Sequence, residues 1–260
     1  MGDIVPFETK EEFQRDIEKL RVELSMLLLE RDQLLYHVCP AIETAYLMRF
    51  GGLEYQVYQA ECQFRRLKRK LALLIQRRNR QESIDLQQIE GQLDLELAEY
   101  QERLKEQLSH LNWALERSQR EVLSEDESRE LKSLYRKIVK KLHPDLHPEL
   151  SQEELDLFHQ AVTAYEDGNL AVLQVIAQVM GDSSEELSGS LLVKEKERLE
   201  ELTASLTKEI SDLKKDYPYT LKILLEDEEA CQGRLAVLTD QLEKYQALCQ
   251  QYDKEISLYV

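Results

Sequence analysis

The tripeptide His143-Pro144-Asp145 holds a titratable ring and a carboxylate two positions apart, on either side of a rigid proline. It follows a basic amphipathic segment whose cations are Arg136, Lys137, Lys140 and Lys141. Cations near a helix C-terminus are favoured by the helix dipole, so these residues can simply belong to a helix end. In an acidic chain the same cluster can also form an electrostatic docking face for an acidic partner. The residues by themselves leave both interpretations open.

Apolar residues at helical spacing surround the tripeptide and indicate the elements that hold it. Before it, positions i, i+4 and i+8 form one apolar stripe, which consists of Leu134, Ile138 and Leu142. After it, a facing stripe consists of Phe158, Val162 and Tyr165. Each segment begins with a capping box, formed first by Ser124 and Glu127 and then by Ser151 and Glu154. The pattern predicts a small antiparallel helical hairpin with the tripeptide in its connection.

The predicted hairpin resembles the second and third helices of a J-domain, the module of the DnaJ family. The segment that precedes the tripeptide without a gap reads Tyr135-Arg136-Lys137-Ile138-Val139-Lys140-Lys141-Leu142. The segment after it follows the F-x-x-ϕ-x-x-A-Y-E pattern of the third helix, with Phe158, Ala161, Ala164, Tyr165 and Glu166. The resemblance covers roughly residues 125–167, about a sixth of the chain.

This resemblance implies a partner and a role for each matched residue. J-domains contact the ATPase domain and linker of an Hsp70 chaperone through their His-Pro-Asp loop and basic face. By resemblance, His143, Pro144 and Asp145 would trigger ATP hydrolysis in a DnaK-type Hsp70. The residues that would steer the encounter are Arg136, Lys137, Lys140 and Lys141. We therefore expect a J-domain-like co-chaperone or adaptor. The alternative is a coiled-coil scaffold in which the J-like helices persist only as packing and stimulate no chaperone.

The chain also departs from the J-domain pattern. No D-Y-Y-x-x-L-G segment opens the module, and Leu146 stands where the family usually has lysine. No Q-K-R-A-x-Y-D helix closes it, and neither a Gly/Phe-rich linker nor a CxxCxGxG repeat follows. The third long helix of the N-terminal region is a candidate for the place of the missing first helix. We expect a J-like module embedded in coiled coil rather than a full-length DnaJ.

Apolar residues at coiled-coil spacing predict three long helices within residues 1–119. Their stripes run from Phe13 to Leu34, from Leu47 to Leu74 and from Ile89 to Leu115. We expect Cys39-Pro40 to break the first helix from the second, because proline disfavours helix in the residue before it. Residues 79–85 are expected to form a turn before the third helix, which Asp85 caps.

The remaining segments complete an all-α prediction, in which long antiparallel coiled-coil helices flank a small J-like helical module. The module takes residues 120–182, and residues 183–260 form a helical hairpin that turns at Tyr217-Pro218-Tyr219. Only 8 Gly and 5 Pro in 260 residues argue against an all-β fold, which needs many tight turns. Because such helices can pair within or between chains, a second copy or another coiled-coil protein is a candidate partner.

A second basic run lies between Cys62 and Gln81, a stretch without any acidic residue. It contains Arg65, Arg66, Lys68, Arg69, Lys70, Arg77, Arg78 and Arg80. The helix that follows is acidic, so we interpret the run as one side of ion pairs between neighbouring helices. Contact with nucleic acid or anionic lipid is the alternative. We do not expect nucleic acid, because Phe64 is the only aromatic residue close to the run.

Composition excludes several classes of function. With 34 basic and 51 acidic residues the net charge is −17, so an anionic partner would need a local basic patch. The chain contains no Gly-rich phosphate loop, no G-x-S-x-G and no H-E-x-x-H, and we expect neither an enzyme nor a cofactor. No metal site is expected either, since Pro144 and Pro148 prevent a helix from aligning His143 with His147.

Localisation follows from three further observations. No apolar run approaches the roughly 18 residues that cross a bilayer. The first ten residues contain neither the basic nor the apolar region of a secretion signal. The four cysteines form no CxxC pair, and we expect reduced thiols at Cys39, Cys62, Cys231 and Cys249. Together these features predict a cytoplasmic protein without a membrane span.

Overall fold

The computed structural model describes residues 10–119, 123–180 and 189–259, and in these residues it contains helices and no strand. The all-α prediction is confirmed. The α-helices are α1 (Lys10–Gln33), α2 (Cys39–Tyr46), α3 (Gly52–Asn79), α4 (Leu86–Glu96), α5 (Ala98–Ser118), α6 (Glu125–Leu142), α7 (Gln152–Glu166), α8 (Leu170–Val179), α9 (Gly189–Leu213), α10 (Leu221–Glu226) and α11 (Glu228–Ile256). Two π-helical turns, Leu34–Val38 and Leu47–Gly51, flank α2.

The helices belong to two compact units that do not follow the order of the chain. One unit takes Met1–Ala41 with Glu121–Thr220, and the other takes Ile42–Arg120 with Leu221–Val260. The predicted segments 1–119 and 183–260 are therefore each divided between the two units. The reason is the pairing of the long helices, since α9 packs along α1 and α11 along α3. An apolar stripe predicts that a helix packs against another helix, but it does not identify which one, because several helices carry stripes that could pair.

The first unit is built around the predicted hairpin. Helices α6, α7 and α8 pack on one another, α1 packs on α6, and α9 runs along α1. The buried core draws on all five helices, with Leu24, Leu28, Tyr135, Ile138, Tyr165, Leu173 and Leu199 fully enclosed. Both predicted capping boxes are confirmed, because Ser124 and Ser151 exchange hydrogen bonds with Glu127 and Glu154 at the starts of α6 and α7.

The predicted break at Cys39-Pro40 is wrong. Cys39 has helical backbone angles, with φ −61° and ψ −47°, and α2 runs through Pro40. The π-helical turn before it accommodates the proline, and the Cys39 N–H donates to the carbonyl of Leu34. Proline removes one regular helical hydrogen bond and crowds the preceding turn, and a wider turn relieves both effects.

In the second unit, α3 packs along α11, while α4 and α5 fold back on α3. The predicted turn is confirmed, because α3 ends at Asn79 and α4 begins at Leu86. Asp85 caps α4 by accepting a hydrogen bond from the Gln88 N–H at 3.1 Å. No helix in the described parts of the chain combines the length and apolar character needed to cross a membrane.

The basic run on α3 is engaged in ion pairs with the acidic helix that follows it. Arg66 bonds Glu90 and Asp94, and Lys70 also bonds Glu90, with Nζ 2.6 Å from Oε1. Arg69 bonds Glu96 at 2.7 Å, which lowers the pKa of that carboxyl to about 2. These contacts match the interpretation of the run as one side of an interhelical charge pairing.

Candidate functional site

The tripeptide lies where α6 ends and the chain turns towards α7, as the sequence predicts. His143 leaves the helical conformation with φ −73° and ψ 127°. Its carbonyl then accepts hydrogen bonds from the N–H groups of Leu146 and His147, both at 3.0 Å. Leu146 is 1% exposed and packs in the hydrophobic core. The connection is therefore a structured turn anchored at both ends rather than an open loop.

The His143 side chain is buried in this turn, with 4% exposure. Its Nδ1 accepts a hydrogen bond from the Asp145 N–H at 3.1 Å, and its ring meets Phe158 edge-on with centroids 4.9 Å apart. Burial lowers the pKa of His143 to about 4, against the opposing attraction of the Asp145 carboxylate. The imidazole is thus neutral at pH 7, and its proton lies on Nε2 because Nδ1 accepts.

Asp145 has the opposite orientation. Its side chain is 44% exposed, and its Oδ2 lies 3.9 Å from His143 Nδ1. Pro144, between them, is half-buried. The tripeptide therefore divides into an inward histidine, which fixes the backbone of the turn, and an outward carboxylate, which is accessible to another molecule.

The four predicted cations lie on one exposed face of α6, at spacings of one and four residues: Arg136, Lys137, Lys140 and Lys141. The Lys140 ammonium pairs with Glu18 of α1 at 3.1 Å and remains 51% exposed. Within the described residues no ion pair involves Arg136 or Lys137. The structure thus brings together an exposed cationic face and an accessible carboxylate at the end of the same helix.

The inner face of α6 carries a polar contact that the sequence pattern does not predict. The Tyr135 hydroxyl donates to Asp32 of α1 at 2.7 Å, and Asp32 is 1% exposed. Arg31 donates to the same carboxylate at 2.7 and 2.9 Å. Burial, with the nearby Asp32, raises the pKa of Tyr135, which stays a donor, and its ring stacks on Tyr165 at 4.0 Å. The signal in the sequence was Arg31, a charged residue within an apolar stripe.

These contacts identify α1 as the long helix that packs on α6. The apolar stripes of the sequence had favoured the third N-terminal helix, residues 89–115, for that place, and this prediction is wrong. Heptad spacing is shared by all the long helices, so it does not distinguish them. The buried Asp32–Tyr135 hydrogen bond distinguishes α1 from the other long helices, because a buried carboxylate requires a specific partner.

Helix α9 supplies another contact outside the predicted site. Arg198 donates from Nη1 to the backbone carbonyl of Asp145 at 2.7 Å. The two residues are 53 positions apart, and no local pattern in the sequence links them.

No three His, Cys, Asp or Glu side chains within residues 10–119, 123–180 and 189–259 are grouped so as to hold a metal ion. Comparison of the chain with models of protein families, with curated proteins and with solved structures finds no match. The geometry of the α6–α7 turn is therefore the structural evidence that bears on function.

Proposed function

We propose that this chain is a J-domain-like co-chaperone or adaptor that engages a DnaK-type Hsp70 and stimulates its ATPase. The observation that carries the proposal is the 44% exposed Asp145 carboxylate, held at the end of α6 beside the exposed cations of the same helix. In this proposal the chain performs no catalysis of its own, and ATP hydrolysis takes place in the Hsp70.

The exposed face of α6 and the turn that follows it each have a physical role in such an encounter. Arg136 and Lys137, which carry no ion pair in the described residues, supply the long-range attraction to an acidic surface. The Asp145 carboxylate offers hydrogen-bond acceptors to the partner once the surfaces meet. His143 acts from within, because its hydrogen bond to the Asp145 N–H holds the backbone that presents this carboxylate.

One observation favours a second candidate, a structural scaffold without chaperone activity. His143 is buried, and its Nδ1 and ring are both engaged within the module. A tripeptide that serves only to end α6 and begin the turn would show these contacts as well. In this second candidate function, the paired long helices form a scaffold for a second copy or another coiled-coil protein, and the hairpin serves only as packing.

The test is single-turnover ATP hydrolysis by the DnaK-type Hsp70 of the same organism, with and without the full chain. Asp145→Asn is the informative variant, because it removes the charge of an exposed side chain and leaves its size unchanged. We expect it to lose at least tenfold in stimulation, because the variant removes the charge of a central contact with the partner. Glu149→Gln is the matched control, since this carboxylate lies in the same turn with a side chain 55% exposed.

The outcomes separate the two candidates. Stimulation by the wild type and by Glu149→Gln, but not by Asp145→Asn, supports the co-chaperone. No stimulation by the folded wild type, or equal stimulation by Asp145→Asn, overturns it in favour of the scaffold. His143→Gln is less informative in this assay, because the loss of a buried hydrogen-bonded ring can unfold the turn by itself.

A further inference from the structure

Arg198 forms a charge-assisted contact with the turn that carries the proposed Hsp70 site. Its Nη1 donates to the Asp145 carbonyl at 2.7 Å. The other edge of the guanidinium binds Glu195 through two hydrogen bonds, from Nε and Nη2, each 2.9 Å long. Such a two-point contact fixes the plane of the guanidinium, so the direction of the third hydrogen bond is fixed as well.

A second arginine supports this arrangement from α1. Arg21 donates from Nη2 to the Oε1 of Glu195 at 3.3 Å. Burial tends to raise the pKa of Glu195, but hydrogen bonds from Arg198 and Arg21 outweigh it and lower that pKa. The hydrogen bond to Glu195 raises the pKa of Arg198 in turn. Glu195 and Arg198 are therefore both charged at neutral pH, and the contact to the turn persists.

Arg198 binds the backbone of Asp145 and not its side chain. It contacts the backbone carbonyl of Asp145 and leaves the carboxylate of that residue 44% exposed. The Arg198 side chain is itself 32% exposed, so it contributes little to the hydrophobic core. Within the turn, backbone N–H groups donate to the carbonyls of His143 and His147, and the Asp145 carbonyl accepts from Arg198 on a distant helix.

We propose that Arg198 is a positioning residue that preorganises the turn for its partner, an inference that rests on the proposed function. The residue holds the Asp145 backbone in the conformation that presents the carboxylate, so the turn does not have to be ordered during the encounter. Removing the contact leaves the binding groups in place but lowers the fraction of molecules in the competent conformation. The apparent affinity for Hsp70 then falls, while the maximal stimulation is retained.

The first measurement needs no partner and follows amide hydrogen exchange in the full chain. In Arg198→Gln, we expect the Leu146 and His147 amides to exchange about five- to tenfold faster than in the wild type. Exchange in the core of α6 and α7 should not change. Lys208→Gln, which alters an exposed cation on the same helix, is the matched control and should resemble the wild type. Unchanged exchange in the turn, or acceleration throughout the module, overturns the positioning role.

The second measurement is the dependence of Hsp70 ATPase stimulation on the concentration of the chain. We expect Arg198→Gln to raise the half-saturating concentration about fivefold with an unchanged maximum, and Arg198→Lys to recover part of the loss. A lower maximum at the wild-type half-saturation contradicts the inference. If the wild type gives no stimulation, the proposed function fails, whereas the hydrogen-exchange result still decides whether Arg198 holds the turn.

Discussion

The chain carries two strongly basic helical segments, one on α3 and one on α6, and their surroundings are opposite. On α3, Arg66, Arg69 and Lys70 form ion pairs with carboxylates of α4. On α6, Arg136 and Lys137 are exposed and take part in no ion pair within the described residues. A count of basic residues would rank α3 as the stronger interaction site.

The difference arises from what each helix packs against. Helix α4 follows α3 after a short turn and brings an acidic face back along it. Helix α6 instead contacts α1, α7 and α8 through its apolar and aromatic side, which leaves the cations outside. A basic segment therefore predicts an interaction site only when no acidic segment folds beside it.

The largest effect is expected from detaching α4 from α3. Leu93 on α4 is 0% exposed, so Leu93→Ala should lower the free energy of unfolding by about 3 kcal/mol in urea titrations. Loosening of α4 should also uncover the α3 cations and increase retention on immobilised heparin. Leu95→Ala is the control, because Leu95 is 83% exposed on the same helix. Equal stability of the two variants would show that α4 does not cover α3.

The next largest effect is the pH dependence of stability that arises from His143, the buried residue at the end of α6. The pKa of His143 in the folded chain is about 4, below the ordinary 6.5, so the unfolded state takes up the proton first as the pH falls. Stability should therefore be lost between pH 6.5 and 4, by about 2 kcal/mol at pH 5 relative to pH 8.

Urea titrations at pH 8, 6 and 5 measure this loss. His143→Gln should lack this part of the pH dependence, whereas His110→Gln, at an exposed position on α5, should keep it. The same pH dependence in the wild type and in His143→Gln would contradict the assignment to this residue.

Reversing two charges on α6 tests whether its exposed basic face governs the encounter with Hsp70. Arg136→Glu with Lys137→Glu should raise the half-saturating concentration for Hsp70 stimulation at least tenfold, because the steering charge is inverted. Stability should change by less than about 0.5 kcal/mol, since neither side chain is in a described ion pair. Titration of the Hsp70 ATPase together with thermal unfolding measures both quantities.

The matched reversal on α3 is Lys68→Glu with Arg69→Glu, which gives the same net charge. Since Arg69 bonds Glu96, we expect this pair to lower stability and to leave Hsp70 stimulation unaltered. Equal loss of stimulation by the two reversals would mean that total charge, rather than the α6 face, governs the encounter.

The smallest effect is expected for the two ion pairs that one α3 residue, Arg66, makes with α4. Arg66→Met removes contacts with Glu90 and Asp94 and should lower the free energy of unfolding by about 1 kcal/mol. Because salt screens exposed charges, the difference in free energy of unfolding between the wild type and Arg66→Met should fall to roughly half when NaCl is raised from 0.1 to 1 M. Arg129→Met serves as control, since its pair with Asp126 is far more exposed, at 74% and 90%. If this difference in free energy of unfolding did not depend on salt, the loss would come from side-chain packing and not from charge.

Features that depend on neighbouring residues were predicted correctly. The capping boxes at Ser124 and Ser151 and the cap at Asp85 rest on contacts three residues apart. The α6–α7 hairpin follows from two stripes and the short connection between them.

Two local predictions were wrong. At Cys39-Pro40 a π-helical turn replaced the expected break, because it accommodates the proline without ending the helix. The single helix expected from Ile89 to Leu115 is instead divided into α4 and α5, because Leu97 leaves the helical conformation with φ −110° and ψ 12°.

Features that depend on distant residues were not predicted. The Asp32–Tyr135 and Arg198–Asp145 hydrogen bonds join positions 103 and 53 residues apart. The division of residues 183–260 between two units likewise reflects partners far along the chain. Many helices here share the same apolar spacing, so the spacing does not select among them.

The sequence by itself determined the all-α class, the capped starts of α4, α6 and α7, and the position of His143-Pro144-Asp145 at the turn of a basic hairpin. These follow from hydrogen bonds and side-chain contacts within a few residues. Only the tertiary structure decided that His143 lies inside and Asp145 outside, that α1 packs on α6, and that α9 contacts the turn. Burial and pairing are properties of the whole packed core, in which each helix competes with the others for the same apolar surface.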